Sequence, residues 1–229
     1  MRRFSLMVSA LALAGCVTTT EAPPEETPQI DSVASRNFQL VVAQVEPVAE
    51  ALCRERINKV KGGNCDFLIQ IDPRADQPAN AYQSVDRSGR PVITFTQALI
   101  ADAQNRHELA FVLGHEAAHH IRNHIPKKQG SAIAGALILG VLAAAGGAGS
   151  AGQDAAIRVG AAIGGQVFSK DMELEADELG TVITARAGFD PVKGAEYFAR
   201  IPDPGNGVLS SHPPNAERQK IVRQTAAAL

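Results

Sequence analysis

The stretch LGHEAAHHIRNH constrains the fold more than any other part of the chain. It holds two pairs of histidines with a spacing of four, His115 with His119 and His120 with His124. Residues four apart lie on one face of an α-helix, so either pair can present two imidazoles to one ion. Only the first pair has a glutamate, Glu116, after its first histidine. This H-E-x-x-H order places a carboxylate where it can take a proton from a water beside a metal.

The neighbouring residues favour metal binding over a solvated polar face, which is the alternative. ELAFVLGHEAAHHI sets His115 and His119 in an apolar stretch, where unpaired imidazoles are costly to bury and a metal would satisfy them. We therefore predict that these two histidines bind a metal. We interpret His107, His120 and His124 as surface or hydrogen-bonding residues.

A catalytic zinc site needs a third protein ligand and an open fourth position for water. The segment SKDMELEADELG clusters Glu173, Glu175 and Asp177 on a predicted helix. Glu173 and Asp177 share a face at a spacing of four, so one can bind the metal while the other supports a ligating histidine. Glu175 points elsewhere. A solvated acidic face is the alternative, and spacing alone does not decide between the two.

The N-terminus differs in kind from the rest of the chain. Two arginines precede the apolar run FSLMVSALALAG, which is too short for a stable membrane span, and LAGC ends it with small residues before a cysteine. This pattern predicts a lipoprotein signal peptide over residues 1–15, with Cys16 acylated as the new N-terminus. An ordinary secretory signal is the alternative. Residues 16–32 are rich in Thr, Pro and Glu and predict a flexible linker, which leaves residues 33–229 as the folded domain.

Composition and charge restrict the class of partner. The 229 residues are 45% hydrophobic and carry a net charge of -2, which is consistent with one main domain. No block of like charges occurs, so nucleic acid is excluded as a partner. Export to an oxidising compartment favours a disulfide between Cys53 and Cys65, which would contribute about 3 kcal/mol of stability.

Hydrophobic spacing predicts a mainly α fold with a small β-sheet. A helix is expected over residues 33–60, disturbed near Pro47, and the runs CDFLIQI, NAYQSV and RPVITFT predict three short strands. The last two strands can form a hairpin through DRSG. Asn105 and Glu108 predict the capped start of the H-E-x-x-H helix, and Pro126 predicts its end.

Residues 129–153 carry no charge and are long enough to span a bilayer. A single span would place His115 and His119 on one side of the membrane and Glu173 on the other, where one ion could not bind all three. We therefore expect a packed or re-entrant helix, or a mobile loop beside the cleft. Contact with a membrane surface stays open.

Three motifs in order carry a family resemblance. HEAAH, then SKDMELEAD some fifty residues later, then SSHPPNAER, resemble the zinc metallopeptidases that include the CAAX prenyl protease, HtpX, Oma and BepA. The resemblance implies that Glu173 is the third zinc ligand and that Asp177 supports a ligating histidine without binding the metal. It also implies that His212 gates the water position or stabilises the transition state, and that Arg218 contacts the substrate or transition state. NAYQSV resembles the edge strand that lines the cleft in this family and pairs with a substrate strand.

The resemblance implies a zinc metalloendopeptidase with one Zn²⁺ per chain, acting on misfolded or envelope proteins. The lipoprotein signal favours the soluble periplasmic branch of the family. Because Val17 follows Cys16, the chain resembles lipoproteins anchored in the outer membrane and facing the periplasm. Its expected partners are protein or peptide substrates, including outer-membrane proteins and their assembly machinery. The alternatives are a zinc-containing assembly factor with latent proteolysis and, less favoured, a structural zinc domain, which would need no base beside the metal.

Overall fold

The computed structural model describes residues 31–57, 63–205 and 213–229, without the side chains of residues 163 and 165–169. Cys16 and His212 lie outside the described residues. The elements in chain order are α1 (Ser32–Ile57), β1 (Leu68–Ile71), β2 (Ala81–Val85), β3 (Pro91–Phe95), α2 (Gln97–Asp102), α3 (Arg106–Ile121), α4 (His124–Ala145), α5 (Ser150–Arg186), α6 (Pro191–Gly194), a 3₁₀ turn (Ala195–Ala199) and α7 (Asn215–Ala226). The predicted fold class, mainly α with a small sheet, is confirmed.

The sheet has the strand order β1-β3-β2. β2 and β3 form the predicted antiparallel hairpin, with Ala81 opposite Phe95 and Val85 opposite Pro91. β1 runs parallel to β3, whose residues are buried throughout. Within the described residues, β2 is therefore an edge strand, and one row of its backbone groups faces away from β3.

Helix α1 packs its apolar face against α3, and Phe38 of α1 contacts Phe95 of β3. Pro47 lies inside α1 and does not end it. At the C-terminal end of α1, Cys53 is joined by a disulfide to Cys65, with their Cα atoms 5.7 Å apart. This bond connects α1 to the segment that leads into β1.

Helix α3 begins as the sequence predicts but ends earlier. The Asn105 side chain accepts a hydrogen bond from the Glu108 backbone N–H, while the Glu108 carboxylate accepts one from the Gln104 N–H. The prediction that Pro126 ends this helix is wrong. Asn123 adopts a left-handed conformation (φ 58°) after the helix. Pro126 lies in the first turn of α4, where backbone N–H groups have no acceptor within the helix, so proline is tolerated there.

The uncharged Gly/Ala-rich segment forms most of α4 and the start of α5, an antiparallel helical hairpin. It is not a mobile loop. The two helices approach so closely that a Cβ atom built on Gly135 or Gly160 would collide with the carbonyl oxygen of the other glycine. The hairpin returns the chain to its starting side, so Glu173 on α5 meets the histidines of α3.

A second close approach joins α3 to α5 beside the histidines. A Cβ atom built on Gly114 would lie 2.9 Å from the carbonyl oxygen of Gly180. One built on Gly180 would lie 2.9 Å from the backbone nitrogen of His115. Both positions require glycine because the opposing atoms belong to the backbone of a packed helix and cannot move independently.

We predict that Gly180→Ala lowers the free energy of unfolding by about 1–3 kcal/mol, because overpacking outweighs the gain in helix propensity. Gly130→Ala is the matched control. Gly130 lies in α4 with nothing within 4 Å of its added Cβ, so this change should raise stability by about 0.5–1 kcal/mol. Urea unfolding measures both. Equal stability of the two variants would contradict the tight contact.

Candidate metal centre and catalytic cleft

Three predicted ligands meet where α3 crosses α5. The Nε2 atoms of His115 and His119 are 3.0 Å apart. The Glu173 carboxylate lies 3.4 Å from each, through Oε2 to His115 and through Oε1 to His119. His115 and Glu173 are buried. These residues form a group that could hold a metal ion.

The donor spacing fits one small tetrahedral cation. Ligand atoms about 2.0–2.2 Å from zinc at a tetrahedral angle lie about 3.3–3.6 Å from each other. The two histidine nitrogens, 3.0 Å apart, are close to this edge length, and each lies 3.4 Å from a different oxygen of the Glu173 carboxylate. Two imidazole nitrogens and one carboxylate oxygen also form a donor set typical of catalytic zinc, with a fourth position left for water.

Asp177 and Arg218 hold His115 in place. The Nδ1 atom of His115 lies 2.9 Å from Oδ1 of Asp177, a distance at which Nδ1–H donates and Nε2 keeps its lone pair for a metal. Arg218 donates two hydrogen bonds of 2.7 Å to Asp177 and stacks over the ring of Phe198. The resemblance suggested that Arg218 contacts the substrate or transition state. Its bonds to Asp177 give it a positioning role, and because it also lines the larger cavity its contact with substrate or transition state stays a prediction.

His119 is supported by a second polar chain that the sequence did not suggest. Its Nδ1 atom lies 2.9 Å from Nδ1 of His124, and Nε2 of His124 lies 3.3 Å from the Glu175 carboxylate. With Nε2–H of His124 donating a hydrogen bond to Glu175, Nδ1 of His124 can accept one from Nδ1–H of His119, which again leaves Nε2 of His119 for a metal. His124 is buried and makes hydrogen bonds, as one of the two predicted roles requires, and Glu175 lies against His124. Helical spacing does not predict this pair because the left-handed backbone of Asn123 interrupts the helix between His119 and His124.

The other two histidines make hydrogen bonds away from the metal group, as interpreted from the sequence. Nε2 of His120 lies 2.7 Å from the carbonyl oxygen of Asn64, and His107 accepts a hydrogen bond from the Asp190 N–H. Neither contacts the three proposed ligands.

The charges in the cluster favour a cation. Burial alone would lower the pKa of His115, but hydrogen bonds to Asp177 and Glu173 outweigh it and raise this pKa to about 10. Burial, with the positive charge of His115, lowers the pKa of His119 to about 3. The carboxylates thus stabilise the protonated, positively charged form of His115. A metal ion that binds there would displace the proton.

Glu116 lies beside the three ligands and faces a cleft. Burial raises the pKa of its carboxyl to about 7, in the range that suits a general base near neutral pH. Two cavities of about 330 and 320 Å³ flank the site, and both are lined by Glu116, His115, Glu173, Asn80 and Ala81. The larger cavity continues over apolar side chains of Leu99, Phe111, Val112, Phe198 and Ile201, and the smaller one continues over Tyr82, Gln83, Ile125, Lys128 and Met172.

We predict that His124→Ala lowers the affinity for added zinc about 10–100-fold, because His119 loses the partner that fixes its ring. His120→Ala is the matched control on α3, since His120 bonds to Asn64 outside the metal group. Competition against a chromogenic chelator measures both affinities. Unchanged affinity in His124→Ala, or an equal loss in both variants, would count against the polar chain.

The chain is similar in sequence to known peptidases. The sequence model of Peptidase family M48 matches residues 44–226. The chain is 32% identical over 122 residues to a Vibrio cholerae serotype O1 protein named as a beta-barrel assembly-enhancing protease, a match that covers 48% of this chain and 24% of that protein. It is 25% identical over 215 residues to the metalloprotease LoiP of Escherichia coli strain K12, covering 85% of each. The chain therefore spans about a quarter of the first relative and most of the second.

Proposed function

The chain belongs to Peptidase family M48, a family of metallopeptidases, and we propose that it is a zinc-dependent endopeptidase of the bacterial cell envelope. The proposed ligands are His115, His119 and Glu173. Glu116 is the proposed base. The natural substrates proposed are misfolded or envelope proteins, and the similarity to a protein named for beta-barrel assembly supports outer-membrane proteins among them.

One observation carries this proposal: ligand atoms of His115, His119 and Glu173 lie within 4.8 Å of one another beside Glu116, where two cavities with different linings meet. A structural zinc site would be closed by a fourth protein ligand and would need no base. Cavities on both sides of the site leave room for a chain that continues in both directions. This arrangement supports cleavage within a polypeptide rather than removal of a terminal residue.

A zinc ion bound by the three ligands would lower the pKa of a water molecule and polarise the scissile carbonyl. Glu116 takes the proton from the attacking water and then delivers it to the leaving amine. Asp177, itself held by Arg218, keeps His115 in the orientation and tautomer that binding requires.

The edge of β2 supplies a way to align the substrate. Asn80 and Ala81 line both cavities, and Tyr82 and Gln83 line the smaller one. A substrate in extended conformation can hydrogen-bond to the backbone row of β2 that faces away from β3, which would fix its direction across Glu116. Backbone pairing of this kind is tolerant of side chains, which suits a peptidase acting on unfolded segments.

His212 stays a prediction from the resemblance. In that role it would stabilise the oxyanion or fill the fourth metal position in a resting state. Lipid attachment at Cys16 and a location at the periplasmic face of the outer membrane are likewise proposed from the signal sequence. The flexible linker of residues 16–32 would then connect the anchor to the peptidase domain.

We expect Glu116→Gln to keep its zinc and to lower cleavage of an unfolded model protein such as casein about 10²–10⁴-fold, because the base is lost while the ligands remain. Glu178→Gln is the matched control. Glu178 lies on α5, pairs with Arg122 at the surface, and should retain full activity. Zinc content and casein cleavage are measured on the same preparations. Normal cleavage by Glu116→Gln would refute the role of this residue.

The second candidate function is an assembly factor for outer-membrane proteins whose proteolysis is latent. The name of the Vibrio cholerae relative favours it. In that case a misfolded outer-membrane protein should be brought to its folded state equally well by the wild-type chain and by Glu116→Gln. If the wild type instead degrades the misfolded protein and Glu116→Gln leaves it intact and unfolded, peptidase activity is the principal function.

A further inference from the structure

The hairpin of α4 and α5 is built with its large apolar side chains outside. Ile133, Leu137, Ile138, Val141 and Leu142 lie on α4 and are each 60–65% exposed. The contact between the helices is made by small residues, with Gly135 against Gly160 and Ser131 against Gly164. Burying apolar side chains between helices normally stabilises a hairpin in water. These five side chains of α4 are not used in that way, and they form a stripe along the outer face of α4.

We propose that α4 lies parallel to the surface of a phospholipid bilayer. The side chains of the stripe would then enter the boundary between headgroups and acyl chains. No charged residue occurs from Gln129 to Gln153, and no polar side chain occurs from Ala132 to Ala145. α4 is long and apolar enough to cross a membrane, and none of its apolar window is buried within the protein. The inference is independent of the proposed peptidase activity.

The opposite helix argues for a surface position and against a span. Gly140 lies against Ile157 of α5, which places the exposed Asp154 and Arg158 at the level of the stripe. A hairpin inserted across the bilayer would carry both charges into hydrocarbon. A hairpin lying flat keeps Asp154 and Arg158 of α5 in water and turns the stripe of α4 toward lipid, the arrangement typical of interfacial amphipathic segments. Lys127 and Lys128, exposed in the first turns of α4, suit anionic headgroups.

Two observations favour lipid over a second copy of the chain. The stripe consists of aliphatic side chains without aromatic groups, arginine or hydrogen-bonding groups, so nothing on it would fix the position of a protein partner. The proposed acylated Cys16 also lies only 15 residues before the first described residue, Asp31, so the tether reaches at most about 50 Å. The domain is therefore kept close enough to the bilayer for a weak surface contact to form.

Surface contact would bring one end of the cleft to the membrane. Ile125 and Lys128, at the base of α4, line the 320 Å³ cavity beside Glu116. A polypeptide segment that emerges from the bilayer would meet the site without leaving the surface.

The test uses the full lipidated chain in vesicles of phosphatidylethanolamine and phosphatidylglycerol, with one fluorescent label on an introduced cysteine. Leu137→Cys places the label on the stripe. Ala155→Cys is the matched control, because Ala155 is exposed on α5 near Asp154 and Arg158. Cys53 and Cys65 form a disulfide and the proposed acylation blocks Cys16, so the introduced thiol is the reactive one. Zinc content verifies folding of both variants.

The label at position 137 should lose most of its quenching by aqueous iodide and become quenched by nitroxide-labelled lipid, while the label at position 155 stays accessible to iodide. Equal access of iodide to both labels on vesicles would overturn the proposal. Equal shielding of both labels would also overturn it, in favour of insertion of the whole hairpin. Shielding of position 137 that appears without vesicles and grows with protein concentration would assign the stripe to a second copy.

Discussion

The close crossing of α3 and α5 at Gly114 and Gly180 is the constraint on which the candidate site depends. The two backbones approach to a distance that no side chain larger than hydrogen permits. His115 follows Gly114 directly, and Asp177 lies three residues before Gly180, so the crossing sets how far these residues stand from each other. The metal group is thus positioned by helix packing, and its precision comes from backbone contact rather than from flexible side chains.

Around this crossing, each proposed histidine ligand is hydrogen-bonded to a second residue, and that residue is bonded in turn to a third. Asp177 and Arg218 hold His115, and His124 and Glu175 hold His119. Such support fixes tautomer and ring orientation before a metal arrives, which reduces the ordering that binding must impose. The two supporting carboxylates differ in exposure: the Asp177 side chain is fully buried, while that of Glu175 is 44% exposed.

Local patterns in the sequence predicted most of the fold and much of the site. These patterns depend on contacts within a few residues or on one helix face. They are the spacing of four in HEAAH, the cluster around Glu173 and the turn residues of the β-hairpin. The prediction that Pro126 ends α3 is wrong because the helix ends before the left-handed Asn123. That same left-handed residue allows His124 to contact His119, a contact that helical spacing cannot predict. Arg218 is 41 residues from Asp177, and no local pattern indicates that pairing.

The central claim is that one metal ion binds between His115, His119 and Glu173, and anomalous diffraction at the zinc edge tests it most directly. Crystals of the zinc-loaded full chain should show one strong peak per chain, about 2.0–2.2 Å from Nε2 of both histidines and from a carboxylate oxygen of Glu173. A peak elsewhere in the chain, or no peak at saturating zinc, would contradict the account.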